Sequence, residues 1–465
     1  MDAERSYSEI HEECGVFAAF GVRDAARQTF IALQELQHRG QQGCGIAALG
    51  PDGQIRLKKG AGLVRQVFDE GDLDALPGTS CIGHVRYPTT DVGGPENLQP
   101  FRMTDHLGPF AVAHNGNLVN ADEIRARLEN ERHLLLSTSD SELIGHLIGH
   151  DGSAEDRLQG ILSAVQLLDG AFCVVVLTPD ALYAFRDRHG FHPLSLGRTQ
   201  EGYLVASETC AFRESGARYL RDVEPGELVC LDREGLHSYR FAQERTPHFC
   251  AMELIYFARP DSRIGDRSVY SFRKETGHLL WKECPLEADL VTAIPESAYA
   301  AALGYAEVSG IPYETAFFKN AYIARTFIQP AQHMRDLGVR MKLSPIGRLI
   351  EGKRIVVIDD SIVRGTTSRQ IVRLLKDAGA REVHMAIASP PYAWPCFYGI
   401  DTGTREELIA ARLNPEAIRQ FIGADSLHYL PEKALSEAAR TAGLCTACFS
   451  GRYPTELYGH RWTEE

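Results

Sequence analysis

The chain has 465 residues, of which 44% are hydrophobic and 24% charged, and a formal net charge of −13. That is enough chain for two or three domains with substantial cores, and its composition excludes disordered and collagen-like classes. The acidic balance argues against broad nucleic-acid or anionic-membrane binding, and the longest wholly apolar run, Ala171 to Leu177, is far too short to span a bilayer.

Residues 1–13 carry Asp2, Glu4, Glu9, Glu12 and Glu13 against Arg5, whereas a secretory leader is basic and then apolar. The eleven cysteines are odd in number and scattered. A reducing cytoplasm is expected, where grouped cysteines point to metal or catalysis rather than disulfides.

Cys14 to Gly21 predicts a strand that ends at glycine. A helix is expected over Ala25 to Gln37, then short strands at Ile82 to Arg86 and Phe110 to His114. Asn120, a good N-cap residue, precedes a helical pattern over Ala121 to Leu128. Ala171 to Leu177 and Leu182 to Arg186 flank Thr178-Pro-Asp-Ala181 and predict a hairpin. Short strands mixed with separate helices suggest an α+β layer structure. The charged, proline-containing stretch Arg240 to Pro247 is the expected boundary. Beyond it, Leu290 to Ile294, Arg354 to Ile358 and Val383 to Ala388 are continuous apolar strand candidates. A helix over Ser368 to Ala378, stopped by Gly379, lies between two of them, the pattern of a parallel sheet covered on both faces.

Cys14 alone reads as a small strand hydrophobe. Three segments add chemistry. Arg86 at a strand end could clamp a substrate carboxylate bidentately. In His114-Asn-Gly-Asn117, the Asn115 side chain and the Gly116 N–H suit an oxyanion. Asp140 offers a carboxylate to a substrate ammonium. These parts, with a thiol, are those needed to hydrolyse the amide of glutamine.

The sharpest signal is Arg354-Ile-Val-Val-Ile-Asp-Asp-Ser-Ile-Val-Arg-Gly-Thr-Thr-Ser-Arg369. A buried strand delivers Asp359 and Asp360 at its carboxyl end, where open α/β sheets bind ligands. Ser361 to Thr367 is a small-residue loop opening into a helix. Its free N–H groups and the hydroxyls of Thr366 and Thr367 suit a phosphate monoester, and Gly365 allows close backbone approach. The loop lacks the Lys-Ser/Thr ending of a nucleoside-triphosphatase cradle. Ser297, in Ala293-Ile-Pro-Glu-Ser297, could bring a hydroxyl to the same edge. Phe318 to Lys342, rich in cations, reads either as a loop that closes over an anion or as a solvated basic surface. Cys445-Thr-Ala-Cys448 is a C-x-x-C pair, and Cys250 and Cys396 are candidates to complete four thiolates, a set that fits zinc or iron–sulfur. Spacing alone does not select them.

The 354–369 segment resembles the 5-phosphoribosyl-1-diphosphate (PRPP) signature of type I phosphoribosyltransferases. The segments around Cys14, Arg86, Asn115 and Asp140, with Leu36-Gln-His-Arg-Gly40, resemble the N-terminal-nucleophile (Ntn) glutamine amidotransferases. From Cys14 to about Arg452 the chain is similar to the amidophosphoribosyltransferase family, in its branch with a propeptide and a [4Fe-4S] cluster.

The resemblance implies an α+β Ntn hydrolase domain, an α/β/β/α sandwich over 14–245, followed by an α/β type I phosphoribosyltransferase domain with a mostly parallel sheet over 246–465. Residues 1–13 would be a propeptide whose removal frees the Cys14 α-amino group as general base. Cys14, Asn115 and Gly116 would be catalytic, with Arg86 and Asp140 holding glutamine. Asp359, Asp360, Ser361, Arg364, Gly365, Thr366 and Thr367 would bind PRPP, and Ser297, Asp359 and Asp360 would serve Mg2+. Cys250, Cys396, Cys445 and Cys448 would hold the cluster, leaving Cys44, Cys81, Cys173, Cys210, Cys230 and Cys284 as ordinary core or surface residues.

The implied reaction makes 5-phosphoribosylamine, glutamate and diphosphate, the first committed step of purine synthesis. Feedback by purine nucleotides, a homotetramer and a cytoplasmic location are implied as well, with no nucleic-acid or membrane partner. Ala321, Cys44 and Pro88 depart from the family pattern without touching a proposed catalytic group. Two rivals stand beside this reading. One is an Ntn amidotransferase with another acceptor. The other is a regulator that senses PRPP or nucleotides on a phosphoribosyltransferase fold.

Overall fold

The structure is a computed structural model that describes residues 14–87, 94–150, 154–242, 247–320, 343–402, 404–441 and 443–459. The expected leader, Pro88, and Ala321 to Lys342 of the expected closing loop lie outside the described residues.

The first half stacks two antiparallel sheets face to face. One has seven strands, in the order Arg218–Asp222, Ser195–Arg198, Tyr203–Ala206, Gly15–Phe20, Ser80–Arg86, Gly43–Leu49 and Ile55–Ala61. The other has six: Leu236–Arg240, Glu227–Leu231, Leu182–Arg186, Gly170–Leu177, Gly108–Leu118 and Phe101–Asp105. Strand side chains alternate between faces, so each sheet builds two cores. Val16, Ala18 and Ile82 meet Ala111, Ala113 and Val175 between the sheets. Phe17, Ala19 and Val85 face outward onto helix Ala25–Glu35. Val112, Phe172 and Val174 face outward onto helices Ala121–Asn130, Asp140–His150 and Arg157–Val165. Three cores between four layers make the expected α/β/β/α sandwich.

In the second half, strands Leu290–Ala293, Arg354–Asp359, Glu382–Ile387 and Ser426–Tyr429 pair in that order, all parallel. Val356 and Ile358 pack on helices Val269–Glu283 and Tyr299–Ser309. Ile355 and Val357 pack on helices Thr366–Asp377 and Pro415–Ile422. Burial on both faces explains why these strands read as unbroken apolar runs.

Three local readings change. The strand expected to stop at His114 continues through Asn115-Gly-Asn117 to Leu118, because Gly170–Leu177 pairs along its whole length. Asn120 does not cap the next helix with its side chain. Its amide instead donates to Leu167 O (2.9 Å) and accepts from Asp169 N (3.1 Å), tying down the turn before strand Gly170–Leu177. The helix expected from Ser368 begins at Thr366.

The two halves touch through polar contacts. Asn117 Nδ2 donates to Phe397 O (3.0 Å), His192 Nε2 lies 2.6 Å from Tyr398 O, and Cys250 N donates to Phe191 O (2.9 Å). No helix among the described residues is long and apolar enough to cross a membrane.

Candidate active site

Cys14 stands just before strand Gly15–Phe20, half-buried, its thiol directed at Tyr87 O (3.4 Å). Its carbonyl accepts from Arg39 Nε (3.2 Å). Arg86 ends the neighbouring strand, opposite Gly43. The turn at Gly40 lies flat on that strand end. A Cβ there would stand 2.6 Å from the Val85 carbonyl carbon, so only glycine fits after Arg39.

Asn115 is buried, and neither its amide nitrogen nor its amide oxygen has a hydrogen-bond partner. Buried amides are seldom left this way unless a ligand completes them. The adjacent Gly116 has φ 139°, and a Cβ would stand 2.1 Å from Ala171 O. Backbone groups of alternate strand residues point to opposite sides. Phe172, which faces Gly116, spends its N–H and C=O on Asp187 across the other side of its strand. Gly116 therefore points toward the side of Phe101–Asp105, whose pairing ends at Val112. Along that open edge His114 N donates to Gln99 Oε1 (2.7 Å) and Leu118 N donates to Asp140 Oδ2 (3.1 Å). The Gly116 N–H lies between those two occupied donors.

Asp140 opens helix Asp140–His150. Burial alone would raise its pKa, but the His114 imidazole (3.5 Å) and the Leu118 and Ser141 N–H groups hold it below the usual carboxylate value. It is an anion placed beside the strand edge that carries Gly116. Glu142, on the same helix, accepts from Leu136 N, Ser137 N and the Ser137 hydroxyl, fixing the loop that leads to Asp140.

A buried ionic network behind Cys14 joins the halves. Arg39, 1% exposed, donates to Glu208 Oε1 (2.8 Å) and to Glu253 Oε2 (3.0 Å) and Oε1 (2.5 Å). Burial disfavours the Glu208 anion, yet His38 (2.7 Å) and Arg39 hold its pKa far below normal. Glu208 Oε2 also accepts from Arg259 N and the Ser262 hydroxyl. Sequence reasoning reached Arg39 only as part of a glutaminase-like segment and missed Glu208 and Glu253, which lie 169 and 214 residues away in sequence.

At the parallel sheet, strand Arg354–Asp359 carries Asp359 and Asp360 to its carboxyl end, both nearly buried at 8% and 7% exposure. Asp360 accepts from the Ser297 and Ser361 hydroxyls, so the expected partner from the neighbouring strand end does reach the pair. Arg273, anchored on Leu254 O and Ala258 O, adds positive potential nearby, though burial lowers its pKa to about 10. Gly365 (φ 76°) caps helix Thr366–Asp377, directing the first-turn N–H groups of Thr366 and Thr367 into the loop. Arg364 is engaged by Glu407 Oε2 (2.6 Å).

The four cysteines picked by resemblance converge. Strands Phe249–Cys250 and Leu444–Cys445 pair in parallel with Cys250 opposite Cys445, and Cys448 follows in helix Ala447–Ser450. Cys250, Cys396, Cys445 and Cys448 all line one pocket, together with Phe191, His192, Tyr398, Ile400 and Ala447. Burial and the neighbouring Cys445 and Cys396 sulfurs push the Cys448 thiol well up. Four thiolates there need a cationic partner. Cys44, Cys81, Cys173, Cys210 and Cys230 are buried apart from this pocket, and Cys284 is half-buried. Cys44 packs in the outer core of the seven-stranded sheet, where burial raises its pKa to about 12.

Residues 84–214 match the family model described as a glutamine amidotransferase domain. The amidophosphoribosyltransferase of Bacillus subtilis is 49% identical over 460 residues, covering 97% of this chain and 95% of the relative. The chain belongs to the amidophosphoribosyltransferase family. That of Synechococcus elongatus is 48% identical over 454 residues, covering 96% and 92%. The solved structure of glutamine PRPP amidotransferase from B. subtilis, complexed with ADP and GMP, has a TM-score of 0.91 at 47% identity, over 96% of this chain and 98% of that one.

Proposed function

We propose that this chain hydrolyses glutamine at Cys14 and adds the released ammonia to C1 of PRPP, forming 5-phosphoribosylamine. Its units are residues 14–245, the glutaminase, and 246–465, the phosphoribosyltransferase. Residues 1–13 are removed first. The carrying observation is that one chain holds both a buried, unpartnered amide at Asn115 beside Gly116 and the Asp359–Asp360 strand end with its phosphate-type loop.

The freed α-amino group of Cys14, whose unperturbed pKa lies near neutrality, takes the thiol proton. The thiolate attacks the glutamine amide carbon while Arg86 holds the α-carboxylate and Asp140 the ammonium. Charge on the tetrahedral oxygen falls on Asn115 Nδ2 and the Gly116 N–H. The α-ammonium of Cys14 returns the thiol proton to the amide nitrogen, collapse expels ammonia, and water cleaves the Cys14 thioester to glutamate. At the second site the N–H groups and hydroxyls of Thr366 and Thr367 take the 5-phosphate, with Ser361, Arg364 and Gly365 completing that loop. Asp359 and Asp360 hold the ribose hydroxyls, and ammonia displaces diphosphate at C1.

Ser297, Asp359 and Asp360 suit Mg2+, which when bound offsets the charge of the leaving diphosphate. Cys250, Cys396, Cys445 and Cys448 suit a [4Fe-4S] cluster, which supplies cross-links between the C-terminal segment and the start of the second unit. The B. subtilis relative complexed with ADP and GMP supports feedback by purine nucleotides here too. A homotetramer and a cytoplasmic location complete the reading.

The discriminating experiment supplies glutamine with PRPP as the sole acceptor. Stoichiometric diphosphate and glutamate support the proposal. Glutamate without diphosphate would assign the glutaminase to another acceptor.

A further inference from the structure

Outside the residues that line the cysteine pocket, the sandwich carries a second group of metal-type ligands. Helix Ala121–Asn130 ends through Arg132, which turns left-handed (φ 65°) and returns His133 toward the helix, its N–H on Leu128 O. His146 and His150 lie four apart on helix Asp140–His150 and so share a face. His133 bridges them: its Nδ1 is 3.1 Å from His146 Nδ1, and its Nε2 is 3.0 Å from His150 Nδ1. Carboxylates face both ends of the chain. Glu142 Oε1 is 3.9 Å from His146 Nε2, and Glu131 Oε2 is 3.4 Å from His150 Nε2. The other Glu131 oxygen accepts from Arg127 (3.1 Å).

The proton count decides what this arrangement needs. Each facing pair of nitrogen and oxygen atoms is attractive only with a proton or another cation between them. Three neutral imidazoles bring three N–H groups, but there are four facing pairs. With the His146 Nε2–H toward Glu142, the His133 Nδ1–H toward His146 and the His150 Nε2–H toward Glu131, two lone pairs meet between His133 Nε2 and His150 Nδ1. Ligand atoms of Glu131, His133 and His150 all lie within 4.8 Å of one another. Ligands about 2.0–2.1 Å from a tetrahedral zinc stand about 3.3–3.4 Å apart, a separation this group reaches by a small closure.

We propose that Glu131, His133 and His150 bind a zinc-class divalent transition metal, with His146 and Glu142 orienting His133. The His133 Nδ1–H donated to His146 fixes the tautomer that presents Nε2 to the metal, as ligating histidines commonly require. The metal would clamp the end of one outer helix to the helix that begins with Asp140.

The full-length protein is dialysed against buffered Zn2+, and bound zinc is counted beside His133→Ala, His150→Gln, His146→Ala and Cys448→Ser. The His133 and His150 variants are expected to lose one zinc per chain that Cys448→Ser retains. His146→Ala is expected to keep it with ~10–100-fold weaker affinity. Zinc should raise the melting temperature of the wild type and not of His150→Gln, whose site at the helix end leaves the fold testable if His133→Ala misfolds. Equal zinc binding by wild type and His150→Gln would overturn the proposal, as would proton uptake by the cluster with no zinc retained.

Discussion

Replacing Asn115 by leucine separates catalysis from stability. Leucine branches at the same carbon but carries no donor or acceptor, and the Asn115 amide makes no hydrogen bond within the protein. Its burial is therefore a standing cost of about 1–3 kcal/mol, which leucine removes. The same amide is assigned to the tetrahedral oxygen, and loss of one such donor costs about 2.7–4 kcal/mol of transition-state stabilisation. Glutaminase kcat should fall ~100–1000-fold, with little change in glutamine KM because Arg86 and Asp140 are intact. Ammonia-dependent synthesis from PRPP should stay near wild type, and the midpoint of urea unfolding should hold or rise. The assays are glutamate release, diphosphate release with ammonium salt, and a urea titration. A fall in kcat below ~10-fold in a folded variant would refute the oxyanion assignment.

Breaking the buried network should act in the opposite sense. Glu253→Gln leaves Arg39 partly uncompensated, and such losses cost about 3–5 kcal/mol, so a clear drop in the unfolding midpoint is expected. Asp140 has a folded-state pKa below its unfolded value of about 3.9. Its stabilising contribution is complete above that value and is lost as pH falls through the folded pKa. Asp140→Asn should flatten that part of the acid-unfolding curve, and glutamine KM in the wild type should not titrate with a carboxylate between about pH 5 and 7. Anaerobically purified protein should contain about four iron and four sulfide per chain, lost in Cys448→Ser; a colourless zinc protein would contradict the cluster.

Much of this was legible in the sequence, because strand Arg354–Asp359 and the Ala171 to Leu177 hairpin carry their burial in local pattern. The Asp359–Asp360 loop was equally plain, since strand, acids, glycine and hydroxyls are contiguous. The strand through Asn115 was read too short, because Asn-Gly-Asn is turn-like composition and its pairing partner Gly170–Leu177 lies some fifty residues on. Glu208 and Glu253 left no local mark: each is one acid among many until folding brings both onto Arg39. The four converging cysteines could not be chosen by spacing, only by resemblance, and the pocket they share comes from a parallel pairing of Cys250 with Cys445 across nearly two hundred residues.

The most direct measurement follows PRPP consumption by leader-free protein with glutamine and, separately, with ammonium salt, in the wild type and in Cys14→Ala. The wild type should use both nitrogen sources, and Cys14→Ala only ammonia. Loss of both activities in a folded, metal-loaded variant, or retention of both, would contradict the division of labour between the two sites.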